Sequence, residues 1–178
     1  MTVKDSELQD IINGCLSNNR LSQRQLYERY APKMFVVCRR FANTVEEAED
    51  MMMEGFMKVF KNLDRFRGES QFETWMHSVM VNTAISHFRT VKRFRNELLG
   101  DMTEDVQFVE EERITTELEA KQVLTLLEQM PETMRMVFNL KAVEGYSFSE
   151  ISRQLGKNEG ALRICYMRAR NWLKKAMR

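Results

Sequence analysis

Apolar residues recur along this chain at intervals of three and four, the spacing that lines one face of a helix, and strand-like alternation is hard to find. The pattern predicts an all-α fold. A first helix is expected to start at Ser6, with Gln9 three places on, and to carry Leu8, Ile11, Ile12 and Leu16 before the polar stretch 17–20. A second is expected over residues 22–42, with Leu26, Tyr30, Met34, Val37 and Phe41 as its stripe and Pro32 inside it as a kink point. Thr44 with Glu47 has the spacing of a reciprocal cap and opens a third, whose apolar positions are Ala48, Met51, Met52, Phe56, Val59 and Phe60. Ser70 with Glu73 repeats that cap for a fourth, running to about Asn96 with Trp75, Val79, Asn82, Ser86 and Arg89 in succession.

The periodicity then stops. Residues 97–115 carry Asp101, Glu104, Asp105, Glu110, Glu111 and Glu112 with no sustained apolar spacing, and are expected to form a flexible acidic linker. Beyond it, Leu118, Val123, Leu126, Leu127 and Met130 predict a helix that ends before Pro131, a residue suited to the first turn of the next. That next helix carries Met134, Val137, Phe138, Leu140 and Val143 and stops at Gly145. The expected organisation is therefore two small helical domains, residues 1–96 and 116–178, of four helices each.

The final two helices have the sharpest local signals. Ser147 with Glu150 is a capping box; Ile151 and Leu155 lie one turn apart, and Gly156 can take the left-handed conformation that ends a helix. Asn158 is a good N-cap for the last helix, along which Ala161, Leu162, Tyr166, Ala169 and Leu173 form one expected buried stripe. Stepping about 100° per residue puts Arg163, Ile164, Met167, Arg168 and Asn171 opposite that stripe. Two capped helices joined by a tight turn are a helix-turn-helix, and those five side chains are free to enter a major groove. Arg153, Lys157, Arg163, Arg168, Arg170, Lys174, Lys175 and Arg178 are opposed there only by Glu150 and Glu159, the local excess that attraction to phosphate needs.

Composition changes the picture in two respects. With 178 residues, 43% hydrophobic and 30% charged, the chain is ordinary for a globular protein, but its net charge is only +1, so the basic stretches are balanced by acidic blocks elsewhere. Catalysis also loses support. His77 and His87 stand ten residues apart on one helix and cannot converge on a metal, and phosphate loops and nucleophile motifs are absent, so no cofactor, metal or small-molecule substrate is expected. Cys15, Cys38 and Cys165 are odd in number and far apart, which predicts packed free thiols. No apolar run is long enough to span a bilayer and Met1–Asp5 lacks a signal-peptide core, so a cytoplasmic protein without membrane insertion is expected.

Two further surfaces carry chemistry. The third helix sets Glu46, Glu49, Asp50 and Glu54 on its polar side, with Met53 and Met57 as adaptable apolar neighbours, a face suited to a basic protein surface. The loop after it places Phe66 and Phe72 near Arg65 and Arg67, stacking surface beside phosphate partners of the kind that holds unpaired bases. Trp75 continues that surface, Asn82 could hydrogen-bond a displaced base, and Arg89, Lys92 and Arg93 are candidate phosphate contacts. Phe72 and Trp75 can equally be core residues closing the helical bundle.

Leu26-Tyr27-Glu28-Arg29-Tyr30-Ala31-Pro32, Ala48-Glu49-Asp50 leading to Glu54, Phe56 and Phe60, and Phe66-Arg67-Gly68 with Phe72, Thr74-Trp75-Met76 and Asn82 occur in an order that resembles the extracytoplasmic-function sigma factors. Ser149-Glu150-Ile151, Leu155-Gly156, Gly160 and Arg168-Ala169-Arg170 extend the resemblance, which covers about residues 8–175. It implies a bacterial initiation factor that binds core RNA polymerase and promoter DNA. In that family's terms Asp50, Met53, Glu54 and Met57 would meet the beta-prime clamp helices, and the second domain the beta flap. Arg65, Phe66, Arg67, Phe72, Trp75, Asn82, Arg89 and Arg93 would open and read the minus-10 element. Arg163, Ile164, Met167, Arg168 and Asn171 would read the minus-35 element. An anti-sigma factor is the partner expected to hold such a protein inactive. The chain departs from the family pattern at Met53, usually glutamine, at Ser86, often aspartate, and at Ile164 and Cys165, commonly serine and arginine. An autonomous helix-turn-helix regulator, which would not need the aromatic loop, and a helical protein adaptor are the other readings of the same charges.

Overall fold

The computed structural model describes residues 3–99 and 120–177, with side chains over 6–92 and 124–177; every described regular element is helical. The described residues fall into two compact units, one within Met1–Arg39 and Val45–Ala84, the other within Arg40–Thr44 and Ile85–Arg178.

In the first unit α1 (Val3–Leu16) packs on α2 (Arg20–Arg39), and α2 on α3 (Val45–Lys61). A single 3₁₀ turn, Leu63–Arg65, meets both α1 and α3 before α4 (Phe72–Leu99) begins, of which residues 72–84 belong to this unit and 85–99 to the other. The core between them is rich in methionine: Met34, Met51, Met76 and Met80 are buried with Leu26, Val59 and Leu63. Unbranched thioethers fill irregular gaps between helices. Gly55 of α3 shows how close the packing is, since a Cβ there would lie 2.2 Å from Met80 Sδ.

Helix limits depart from expectation in α2 and α4. α2 starts at Arg20, two residues early, because Asn19 Oδ1 accepts the amides of Leu21 and Ser22 at 2.9 and 3.1 Å. It ends at Arg39, and Phe41 and Ala42 leave the helix while staying buried, so their apolar spacing marked a turn and not a further helical turn. The expected Ser70–Glu73 box does not open α4. The Glu73 carboxylate instead accepts Lys33 Nζ at 2.8 Å, and the first helical bond runs from the Trp75 amide to the Gln71 carbonyl. α4 also continues to Leu99, so residues 97–99 of the expected linker are helical. Residues 100–115 of that linker lie outside the described residues, as does Leu118.

In the second unit α5 (Ala120–Gln129) ends before Pro131, and α6 (Glu132–Phe138) packs on α8 (Glu159–Ala176), which also meets α7 (Phe148–Leu155). Leu127, Met130, Ala169 and Leu173 form the core, with Leu126, Met134, Phe138 and Trp172 against it. The single helix expected through Val143 changes pitch at Asn139, where a π-helical turn, Asn139–Val143, closes with the Glu144 amide on the Asn139 carbonyl at 2.9 Å. Side-chain periodicity does not register such a change of backbone pairing. Gly145 then reverses the chain at φ +75°. Arg135, for which the sequence suggested no role, is fully buried and donates to the Leu127 and Glu128 carbonyls, satisfying the open end of α5.

Candidate nucleic-acid interface

Three aromatic rings meet at the start of α4. Phe66 lies 5.1 Å from Phe72 and 5.5 Å from Trp75, Phe72 lies 5.7 Å from Trp75, and Tyr30 of α2 backs Phe72 at 5.6 Å. Gly68, at φ +73°, turns the loop so that Phe66 folds onto the helix while Arg65 and Arg67 stay exposed beside it. Phe72 is only 4% exposed, so of its two readings it takes the core one in this structure. The first residue of α4 packs against Tyr30 of α2, and its ring supports the other two. Phe66 and Trp75 are half-buried and keep an outer surface. Burial pushes the Tyr30 phenol above its ordinary pKa, so it stays a neutral wall.

Residues seven apart on a helix return to nearly the same angle. Asn82 is exposed two turns beyond Trp75 on that face, with Ser78 between them. Arg89 keeps the same phase along α4 and is exposed, and Lys92 lies 5.4 Å from the centroid of Phe88. Arg93 is helical, but its side chain lies outside the described residues.

On α3, Asp50, Met53, Glu54 and Met57 all project outward. Met53 is 52% and Met57 70% exposed, large apolar side chains held in solvent one turn apart and flanked by carboxylates. Glu54 is paired with Lys58 at 2.7 Å, and Lys58 also reaches Thr83 Oγ1 at 3.3 Å, so the acidic edge is partly neutralised at its end.

The helix-turn-helix is capped as expected. The Ser147 hydroxyl and amide both donate to Glu150 Oε2 at 2.7 Å, and the Glu150 amide donates back to Ser147 Oγ at 3.2 Å. Those bonds hold the Glu150 carboxyl below its ordinary pKa, the Ser147 hydroxyl contributing most. Gly156 ends α7 at φ +65°, Ser152 Oγ pins the turn by donating to the Lys157 carbonyl at 2.7 Å, and Asn158 Oδ1 accepts the Gly160 amide at 2.8 Å.

Of the five outward residues read on α8, Arg163 is exposed and Ile164, Met167, Arg168 and Asn171 are half-buried, because α8 packs against both α6 and α7 and buries more than one stripe. Ala161, assigned to the buried stripe, lies exposed in the first turn. Cys165 turns inward, its Sγ 3.8 Å from the Thr133 carbonyl, and burial raises the pKa of the Cys15 thiol, so both behave as packing groups. The groups around Arg163 were missed: its guanidinium lies over Phe148 and beside Glu159. The Glu159–Arg163 spacing of four was the available signal; the Phe148 contact crosses two helices and left none.

Among the described residues no group of three or more histidine, cysteine or acidic residues could hold a metal, and no helix is long and apolar enough to cross a membrane.

The Sigma-70 region 2 family model matches residues 26–94 and the Sigma-70 region 4 model residues 120–173. RNA polymerase sigma-H factor of Pseudomonas aeruginosa is 30% identical over 161 residues, covering 84% of this chain and 82% of its own. The ECF RNA polymerase sigma-E factor of Haemophilus influenzae is 28% identical over 159 residues, with 83% of each chain covered. Among solved structures, the sigma factor RpoE in complex with the anti-sigma factor NepR from Bartonella quintana shares the fold at a TM-score of 0.50 and 20% identity, over 86% of this chain and 95% of that one.

Proposed function

The chain belongs to the extracytoplasmic-function sigma factors and is a promoter-directing initiation factor of RNA polymerase, and on that premise we propose how its two units divide the work. α3 docks on the beta-prime clamp helices through Met53 and Met57, with Asp50 and Glu54 answering basic residues around them. The observation that carries this assignment is the exposure of two methionines on an acidic helix face, a costly arrangement for a surface that stays in water.

Strand opening falls to the start of α4. Phe66 and Trp75 supply stacking surface, Asn82 hydrogen-bonds a displaced base, and Arg65, Arg67, Arg89 and Arg93 hold phosphates. The second unit reads the minus-35 element with Arg163, Ile164, Met167, Arg168 and Asn171, and rests on the beta flap. Ile164 can offer only apolar contact, as against a thymine methyl group. The chain carries out no bond chemistry of its own. Binding energy separates the strands and the polymerase makes RNA, so the protein works in the cytoplasm with its polymerase. An anti-sigma factor that covers the α3 and α8 faces would keep it inactive.

In vitro transcription of a genomic fragment library by bacterial core polymerase, with and without this protein, tests the whole assignment. New transcript starts preceded by two spaced motifs are expected. Tight binding of duplex DNA by the protein alone, with no new starts, would instead favour an autonomous regulator.

A further inference from the structure

The Arg163 guanidinium is restrained although it is exposed. Its Cζ lies 4.7 Å from the centroid of the Phe148 ring, and its Nη2 lies 3.7 Å from the Glu159 carboxylate one turn back on α8, while the side chain keeps 61% of its exposure. The ring beneath it has further partners. Phe148 meets Tyr166 edge-on at 5.9 Å, and Tyr166 stacks on Phe138 at 6.1 Å. Lys141 adds a second cation 5.1 Å from the Phe148 centroid, itself fixed by donating to the Tyr146 carbonyl at 3.2 Å. Phe148 is thus a fixed platform at the first position of α7, and Arg163 rests on it.

Resting on the reading of Arg163 as a minus-35 contact, we propose that Phe148 is a positioning residue that determines base specificity: it holds the Arg163 guanidinium so that Arg163 reads a base instead of the backbone. A free arginine spreads over many rotamers and meets phosphates and bases alike. Attraction to an aromatic ring consumes none of the five N–H donors of a guanidinium, so an arginine resting on a ring still has donors for a bidentate pair with guanine O6 and N7. Glu159 acts in the same direction, as a second tether and as a negative charge that disfavours phosphate at that point. Phe148 itself touches no DNA; it acts through Arg163.

The test uses the full chain bound to core polymerase, on promoters recovered from transcript-start mapping and varied one base at a time in the upstream element. Arg163→Ala is expected to abolish preference at one position. Phe148→Leu should reduce preference at that same position by roughly 2- to 5-fold, the size of an exposed cation–π contact, and Phe148→Trp should restore it. Glu159→Gln should cause a smaller loss at the same position with an unchanged melting temperature. Should Phe148→Leu lower the melting temperature, its combination with Arg163→Ala decides: no loss of preference beyond that of Arg163→Ala supports the coupling, and a further loss overturns it. Equal weakening on all templates by Phe148→Leu, or no rescue by tryptophan in a normally folded variant, overturns the proposal while leaving Arg163 as a base reader. If Arg163→Ala alters no base preference, the minus-35 assignment of Arg163 fails, and the proposal with it.

Discussion

Gly55 and Met80 are in direct apposition: a methyl group on Gly55 would come 2.2 Å from the Met80 sulfur, and Met80 is fully buried. α3 can approach α4 this closely only because position 55 lacks a side chain, and α3 is the helix that presents Met53 and Met57. Gly55→Ala is expected to cost about 1–3 kcal/mol through overpacking, read as a lower urea midpoint. Met80→Ala makes room, so the double variant should be more stable than the sum of the single effects predicts; additive losses would show that α3 and α4 do not press on each other there.

The α3 face combines two kinds of contact that salt separates. Asp50→Lys should weaken binding to core polymerase at low ionic strength, with the deficit shrinking as salt rises. Met57→Ala should weaken it by roughly 5- to 30-fold, the scale of a significant interface residue just short of a hot spot, with little dependence on salt. Titration of labelled core polymerase at two salt concentrations checks both, and wild-type affinity in both variants would move the docking surface elsewhere.

Phe66 and Phe72 are neighbours with different expected roles. Phe66→Ala and Asn82→Ala should leave closed-complex binding nearly intact and reduce strand opening by about 10-fold or more, given that a stacked base is worth ~1–3 kcal/mol. Permanganate reactivity of promoter thymines measures the opening. Phe72→Leu should instead lower the melting temperature, since that ring is buried between Tyr30 and Trp75. A stable Phe72→Leu protein defective only in opening would return Phe72 to the DNA surface.

The α7 cap predicts a pH response. Glu150 has a lowered pKa because the folded state donates hydrogen bonds from Ser147 to its ionised form. Its contribution is therefore fully present above the ordinary glutamate value and is lost as pH falls through the depressed one. Ser147→Ala should move the Glu150 titration, followed by carboxyl NMR shifts in the full chain, up toward the ordinary range. An unchanged titration would mean that the cap does not set it.

The features legible in the sequence are those whose partners lie within a few residues. Ser147 with Glu150, Gly156 and Asn158 each satisfy or redirect backbone groups inside one turn, so the residue types alone indicated the helix-turn-helix. The same spacing at Ser70 and Glu73 misled because Lys33, forty residues earlier, takes the carboxylate. The π-helical turn and the capping of α5 by Arg135 were illegible for a related reason, since neither alters the apolar pattern.

By itself, the sequence determined the helical class, the capped turn of the helix-turn-helix, the sorting of charge and the family. Each of these depends on local hydrogen bonding or on the order of residues along the chain. Only the tertiary structure decided that Phe72 is buried while Phe66 and Trp75 keep outer surface, that Met53 and Met57 remain in solvent, and that Arg163 rests on Phe148. Those outcomes depend on which side chain takes the limited space between helices, a competition among residues distant in sequence that no local pattern records.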